Sequence, residues 1–264
     1  MKAENIKILI DGKQITQRDM DVWKKQRIKK AYKTLHIKIP QNVTLSKMGD
    51  KLTKVKVQLS DDEIREILRK KLFLSRFVMK IASLLSGKKR RVARTTIVAK
   101  GITVEKFSQM LDSLMVEATE ENRNVNLSVY PEHYLLTPDK NGVLEVIETT
   151  GNAPIPVQFF ITFGDENGLT EPKNPKFTHQ SAGVAKLEDG TIIGGVRHQF
   201  RNISAGIECR LAVEFPGLCP NVIVKAHQKH LAVEFTNWLN WIIENQSMSS
   251  ENRFPNGNGR NTIG

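Results

Sequence analysis

Residues 206–216 read Gly-Ile-Glu-Cys-Arg-Leu-Ala-Val-Glu-Phe-Pro. Ile207, Cys209, Leu211, Val213 and Phe215 fall on one side, and Glu208, Arg210 and Glu214 on the other. A period of two is that of a strand with one apolar face. Such a face has to be covered, and the next segment supplies the cover. Beyond Pro216 and Pro220 the spacing predicts a helix over 222–245, in which Leu231, Phe235, Trp238 and Ile242 form one apolar stripe.

Working back from that pair, a strand is expected over Val92–Lys100 and an amphipathic helix over Thr103–Ala118, with Phe107, Met110, Leu111 and Leu114 on one face. Further strands are expected at Val125–Leu136, Val143–Thr149, Val157–Phe163, Ala182–Leu187 and Thr191–Arg201. The segments Asp139–Gly142, Glu188–Gly190 and Asn202–Gly206 carry hairpin turn residues. Hairpins join neighbours antiparallel. The fold class is therefore α+β: an antiparallel meander sheet gripping a long C-terminal helix. Gly194-Gly195 reads as a bend within a strand.

The order strand, helix, meander, long helix over residues 91–245 resembles the helix-grip fold of the START and Bet v 1-like superfamily. The segment Ile97–Leu111, Ile-Val-Ala-Lys-Gly-Ile-Thr-Val-Glu-Lys-Phe-Ser-Gln-Met-Leu, looks like its opening strand and helix. One departure is that the first helical segment reads as longer and less broken than the usual helix pair. The resemblance implies a cavity between sheet and C-terminal helix for a lipid, polyketide or aromatic molecule.

The chain has 264 residues and a net charge of +12, unevenly placed. Residues 1–100 hold 27 Lys+Arg against 9 Asp+Glu, and the remainder holds 13 against 19. A basic segment, residues 1–90, thus precedes the α+β domain of 91–245, and a polar tail, 246–264, expected to be disordered, follows. Such asymmetry suits an anionic partner, nucleic acid or a membrane surface. The run Lys88-Lys89-Arg90-Arg91 is the sharpest candidate for anion binding. Only Trp23 and Tyr32 interleave with the helical cations, which is thin for stacking on single strands.

Within the basic segment, residues 6–10 suit a short strand. Thr16 with Asp19 and Ser60 with Glu63 form capping boxes opening helices to about Leu35 and Leu85. Leu52–Leu59 alternates imperfectly and suits a strand. In the second helix Ile64, Ile67, Leu68, Val78, Ala82 and Leu85 are expected on the buried face, with Arg65, Arg69, Arg76 and Lys80 opposite.

No apolar run reaches the roughly 18 residues of a membrane span. The first ten residues are too short and polar for a signal peptide. Cys209 and Cys219 suit reduced thiols, so the expected location is cytoplasmic.

Chemistry concentrates on the last helix, where His227, His230 and Glu234 adjoin the apolar stripe. His198, on a strand with Val196 and Phe200, is placed to face them. A sheet histidine opposite a His–Glu pair suits acid–base work or a metal. His-x-x-His-x-x-x-Glu matches no zinc signature of fixed mechanics, so neither a metal nor a cofactor is assigned. His198, His227 and Glu234 are the candidate catalytic groups. The expected ligand contacts are His198, Phe200, Cys209, Leu211, Val213, His227, Leu231, Phe235 and Trp238. Tyr130 and Tyr134, flanking Glu132 and His133, are placed on an early strand with hydroxyls at a rim. The Gly-x-Ser-x-Gly elbow and Cys-x-x-Cys are absent.

The reading is an apolar small molecule bound or processed in a cavity behind the last helix. The alternatives are a nucleic-acid-associated protein working through its basic half, and an interaction scaffold with no small ligand.

Overall fold

The computed structural model describes residues 5–251. In chain order the elements are β1 (Ile6–Ile10), β2 (Lys13–Ile15), α1 (Gln17–Thr34), α2 (Leu45–Gln58), α3 (Asp61–Ser86), β3 (Arg90–Lys100), α4 (Val104–Val116), α5 (Glu120–Ser128), β4 (His133–Pro138), β5 (Val143–Glu148), β6 (Val157–Phe163), β7 (His179–Lys186), β8 (Ile192–Ile203), β9 (Gly206–Pro216) and α6 (Asn221–Glu251). The strands form one antiparallel sheet in the order β2-β1-β3-β9-β8-β7-β6-β5-β4. From β4 to β9 each strand pairs with its sequence neighbour. The meander then closes on β3, where Arg90 lies opposite Pro216 and Lys100 opposite Gly206. This order is compatible with helix-grip topology.

The alternation read from residues 206–216 places Ile207, Cys209, Leu211 and Phe215 in the core. α6 packs on that side of the sheet against β3, and Leu231, Phe235, Trp238 and Ile242 are all buried. Thr95 Oγ1 of β3 donates to the Gln228 carbonyl of α6, tying helix to strand at 2.8 Å. Gly151 sets how closely the β5–β6 connection approaches α6. Its φ is +57°, and a Cβ there would stand 2.5 Å from the Ile223 carbonyl oxygen. Only glycine meets both demands without strain.

The other face of β9 is polar and is covered by the β6–β7 connection. Glu171 there receives Arg94 of β3 and Arg210 of β9, while the Glu214 carboxylate accepts from the backbone N–H groups of Thr170 and Glu171. Every buried charge on this face is thus paired or hydrogen-bonded, as burial requires.

The basic segment is folded into the same structure. The boundary at residue 90 is the first residue of β3, and β1 pairs with β3, with Ile8 opposite Ile97. α1, α2 and α3 build a second core in which Ile28, Tyr32, Leu52, Ile64 and Leu68 meet Tyr134 and Leu135 of β4 and Ile147 of β5. Both capping boxes are present, at Thr16–Asp19 and Ser60–Glu63.

Five local expectations are corrected. Residues 52–59 belong to helix α2 and its C-cap, capped at its start by the Thr44 side chain. Met48, Leu52 and Lys56 are buried there at i, i+4 and i+8, and this helical period outweighs the apparent alternation. Residues 125–136 are not one strand: α5 ends at Ser128, and β4 starts only after Pro131. With α4 and α5 separated by a break at Glu117–Thr119, the helical segment is a pair, not one long helix. In α3 the buried face is Ile64, Leu68, Leu72, Ser75, Ser83 and Ser86, so Val78 and Leu85 point outward. Finally α6 runs on to Glu251, so the tail placed at 246–264 begins later; residues 252–264 lie outside the described residues.

The outward turn of α3 leaves an apolar stripe on the surface. Phe73 (77 % exposed), Leu74, Phe77, Val78, Ile81, Leu84 and Leu85 (72 %) occupy an arc of roughly 140° at helical spacing. Exposed Lys70 lies at one end of the stripe, and Lys88 and Lys89 follow the other. No helix among the described residues is long and apolar enough to cross a membrane.

Candidate functional site

Between the sheet and α6 the side chains leave a pocket of about 100 Å³. Its walls come from residues of six strands: Leu136 of β4, Leu144 and Val146 of β5, Phe159 and Ile161 of β6, Ala185 of β7, Val196 of β8 and Val213 of β9. Leu231, Phe235 and Trp238 of α6, Leu111 and Met115 of α4 and Met79 of α3 also line it. The polar groups reaching this space include Glu148, His198, His227 and Glu234.

Of the residues expected to contact a ligand, His198, Val213, His227, Leu231, Phe235 and Trp238 line the pocket. Phe200, Cys209 and Leu211 are buried in the core beside it. Phe200 packs edge-on to Phe107, with ring centroids 5.1 Å apart. Burial pushes the Cys209 thiol far above its usual range, so it stays protonated. The basic run lies apart from the pocket. Lys88, Lys89 and Arg91 are exposed, and Arg90 and Arg91 donate to backbone carbonyls of Gly87 and Gly217 respectively.

The histidine that meets the His230–Glu234 pair is His133 of β4, not His198. His133 Nε2 is 3.1 Å from His230 Nε2 and 3.4 Å from Glu234 Oε1. It is also 3.5 Å from Glu148 Oε2, on the neighbouring strand β5. His230 Nε2 lies 3.9 Å from both Glu148 Oε2 and Glu234 Oε2. His227, one helical turn before His230, places its ring 4.4 Å from that of His230. His133, His227, His230 and Glu148 are buried, and the Glu234 side chain is 12 % exposed. His198 stands at the pocket wall, edge-on to Phe235 at 4.8 Å.

Local structure fixes this cluster. His133 Nδ1 lies 3.1 Å from the Asn126 carbonyl oxygen. A carbonyl only accepts, so Nδ1 carries the proton and the Nε2 lone pair points at the cluster. Asn126 is held in turn: its side chain donates to the Leu114 carbonyl and accepts from Trp238 Nε1. Tyr130 stacks flat on the His230 ring, 3.6 Å between centroids and 6° between planes. Glu148 ends β5, where the strand period turns its side chain to the pocket face with Leu144 and Val146.

Burial governs the charges. Desolvation draws His230 well below the ordinary histidine range and brings His227 to about 4, with Glu148 opposing the latter. Desolvation, reinforced by Glu148, holds the Glu234 carboxyl well above its usual range. His198 is drawn to about 3 by burial and by His227. These imidazoles are neutral at physiological pH and present lone pairs.

A second buried polar group supports the first. Lys56 Nζ reaches the carbonyl oxygens of Leu127, Tyr130, Pro131 and His133 at 2.5–3.3 Å. It thereby clamps the α5–β4 turn that carries His133. Glu132 faces outward from that turn to Arg27 and Lys30 at 3.4 and 3.8 Å. Burial raises its carboxyl to about 7, with the two cations opposing.

Sequence reasoning missed His133, Glu148 and Lys56. The available signal was a glutamate closing the apolar run Val146-Ile147 and a histidine directly after Pro131-Glu132. Comparison of the sequence with protein families and with curated proteins gives no match.

Proposed function

We propose that the chain binds an apolar molecule of single-ring or short-chain size in the pocket between the sheet and α6. The observation that carries this reading is the one-sided lining. Apolar side chains from six strands and three helices surround a space whose polar groups include Glu148, His227 and Glu234. A pocket lined mainly by apolar groups with a few placed polar ones suits a small ligand. A dry apolar cavity of about 150 Å³ holds one benzene, so this pocket of about 100 Å³ takes a ligand no larger than one ring, with a small movement of its walls. The test is a ¹⁹F NMR titration with fluorobenzene. Wild type is expected to shift or broaden the signal saturably. His198→Trp and Val196→Phe, verified as folded by circular dichroism, are expected to abolish the effect by filling the pocket. The double change Phe77→Glu/Leu84→Glu is expected to leave it intact. Absence of binding by folded wild type, or loss only in the α3 double variant, overturns the reading.

A second reading concerns the basic half. The exposed α3 stripe, with Lys70 at one end and Lys88-Lys89 beyond the other, combines apolar area with positive charge, which suits an anionic lipid surface. Sedimentation with phosphatidylserine vesicles is expected to retain the protein at low salt and to lose it on Phe77→Glu/Leu84→Glu. Equal retention of the variant contradicts it.

A further inference from the structure

We infer that His133, His230 and Glu234, with Glu148 and His227 beside them, form a binding site for one divalent first-row transition-metal ion. The inference goes beyond the pocket-binding reading and does not depend on it.

The first observation is spacing. Two donors on one ion at ordinary Zn–N and Zn–O lengths stand roughly 2.9–3.4 Å apart, for bond angles between right and tetrahedral. His133 Nε2 lies within this range of His230 Nε2 (3.1 Å) and Glu234 Oε1 (3.4 Å), while Glu148 Oε2 is 3.5 Å from it and His230 Nε2 stands 3.9 Å from Glu148 Oε2 and Glu234 Oε2, so the carboxylates have to close in on the ion. The donor atoms of His133, His230 and Glu234 all lie within 4.8 Å of one another, and so do those of Glu148, His227 and His230. The two triads share His230, which places Glu148 and His227 beside the first set of donors.

The second observation is support behind the donors. The His133 Nδ1–H group donates to a backbone carbonyl, the outer contact that fixes a ligating tautomer and aims Nε2 inward. Tyr130 locks the His230 ring plane by stacking. Lys56 holds the turn that precedes His133.

The third observation is unbalanced polarity. Nδ1 of His227 and Nδ1 of His230 are buried with no hydrogen-bond partner among the described residues. Among the described residues the ion-pair contacts of Glu148 and Glu234 are to histidines only, with no lysine or arginine. Two carboxyl groups and three imidazoles thus turn acceptor atoms toward one another in a buried place. A dication gives those lone pairs a common acceptor.

The donor set selects the ion. Imidazole with carboxylate and no thiolate suits Zn²⁺, Co²⁺ or Fe²⁺, and it is too nitrogen-rich for Ca²⁺ or Mg²⁺. Because Glu148, His227 and Glu234 also reach the pocket, the ion would border it, and an oxygen donor on an apolar molecule is the matching ligand class.

The test uses the full chain, stripped with chelator and titrated with Co²⁺. The expected result is one equivalent bound, with visible d–d absorption of a four- or five-coordinate ion. His133→Gln and Glu234→Gln are each expected to weaken binding at least ten-fold, while His179→Gln, at the half-buried start of β7, leaves it unchanged. X-ray absorption of the Zn²⁺-loaded wild type is expected to show two or three imidazoles and no sulfur. This last measurement decides the matter if the variants fail to fold. No Co²⁺ uptake by folded wild type, a sulfur ligand, or unaltered affinity in both folded ligand variants overturns the site.

Discussion

His133 and His230 lie 97 residues apart in sequence, and their Nε2 atoms stand 3.1 Å apart in the core. One comes from the strand at the far edge of the sheet, the other from the helix laid across it. The site therefore exists only when the meander has curled and α6 has docked, so its integrity depends on the same packing that stabilises the fold.

Trp238→Ala tests that docking. The indole is buried, packs edge-on to Phe235 and donates to Asn126 Oδ1 at 3.3 Å. Removing it leaves a cavity and an unpaired amide oxygen, at an expected cost of about 3–5 kcal/mol. A urea-unfolding midpoint equal to that of wild type contradicts the packing of α6 described above.

Lys56 gives a second test. Its ammonium satisfies four carbonyl oxygens in a fully buried place. Lys56→Ala removes the donor that these carbonyls share, and the expected loss is about 1–3 kcal/mol, the cost of leaving buried acceptors short of a partner. The change is also expected to loosen the turn before His133, seen as faster amide exchange at residues 129–134. Unchanged exchange with unchanged stability contradicts the clamp.

His198 gives a pH test. Its ordinary value is 6.5 and burial with His227 brings it to about 3 in the fold. Between these values the unfolded chain binds a proton that the native chain refuses. The contribution is complete above pH 6.5 and is lost as pH falls toward 3. At pH 5.5 the loss attributable to this residue is on the order of 1 kcal/mol. His227 titrates in the same direction, so His198→Gln is expected to reduce the acid slope of stability without abolishing it. Identical slopes for variant and wild type between pH 7 and 5 contradict the burial of a neutral His198.

Much of the architecture was legible. The alternation of 206–216, the stripe of α6 and the capping boxes at Thr16 and Ser60 each rest on local periodicity or local hydrogen bonding, which a sequence displays directly. The site was legible in part. His227, His230 and Glu234 stand together on one helix, so their spacing gives them away. His133 and Glu148 come from two separate strands, and residues 125–136 mix a helix end, a Pro131 turn and a strand start, which blurs the period that would assign faces. Lys56 misled because a lysine among valines reads as a solvent-facing strand residue. Its helical i+4 relation to Leu52 was the better guide. The outward stripe of α3 is invisible to periodicity, since an amphipathic pattern does not say which side finds a neighbour.

The most direct measurement of the central claim, an apolar ligand held between sheet and α6, is a methyl NMR titration of Ile/Leu/Val-labelled protein with fluorobenzene. The account predicts saturable shifts at Leu144, Val146, Ile161, Ile193, Val213 and Leu231, whose side chains line the pocket. It predicts unchanged signals at Ile28, Leu52, Ile64 and Leu68 in the second core. Shifts confined to Leu74, Val78, Ile81 and Leu84 on the α3 surface, or no shifts at all, would contradict it.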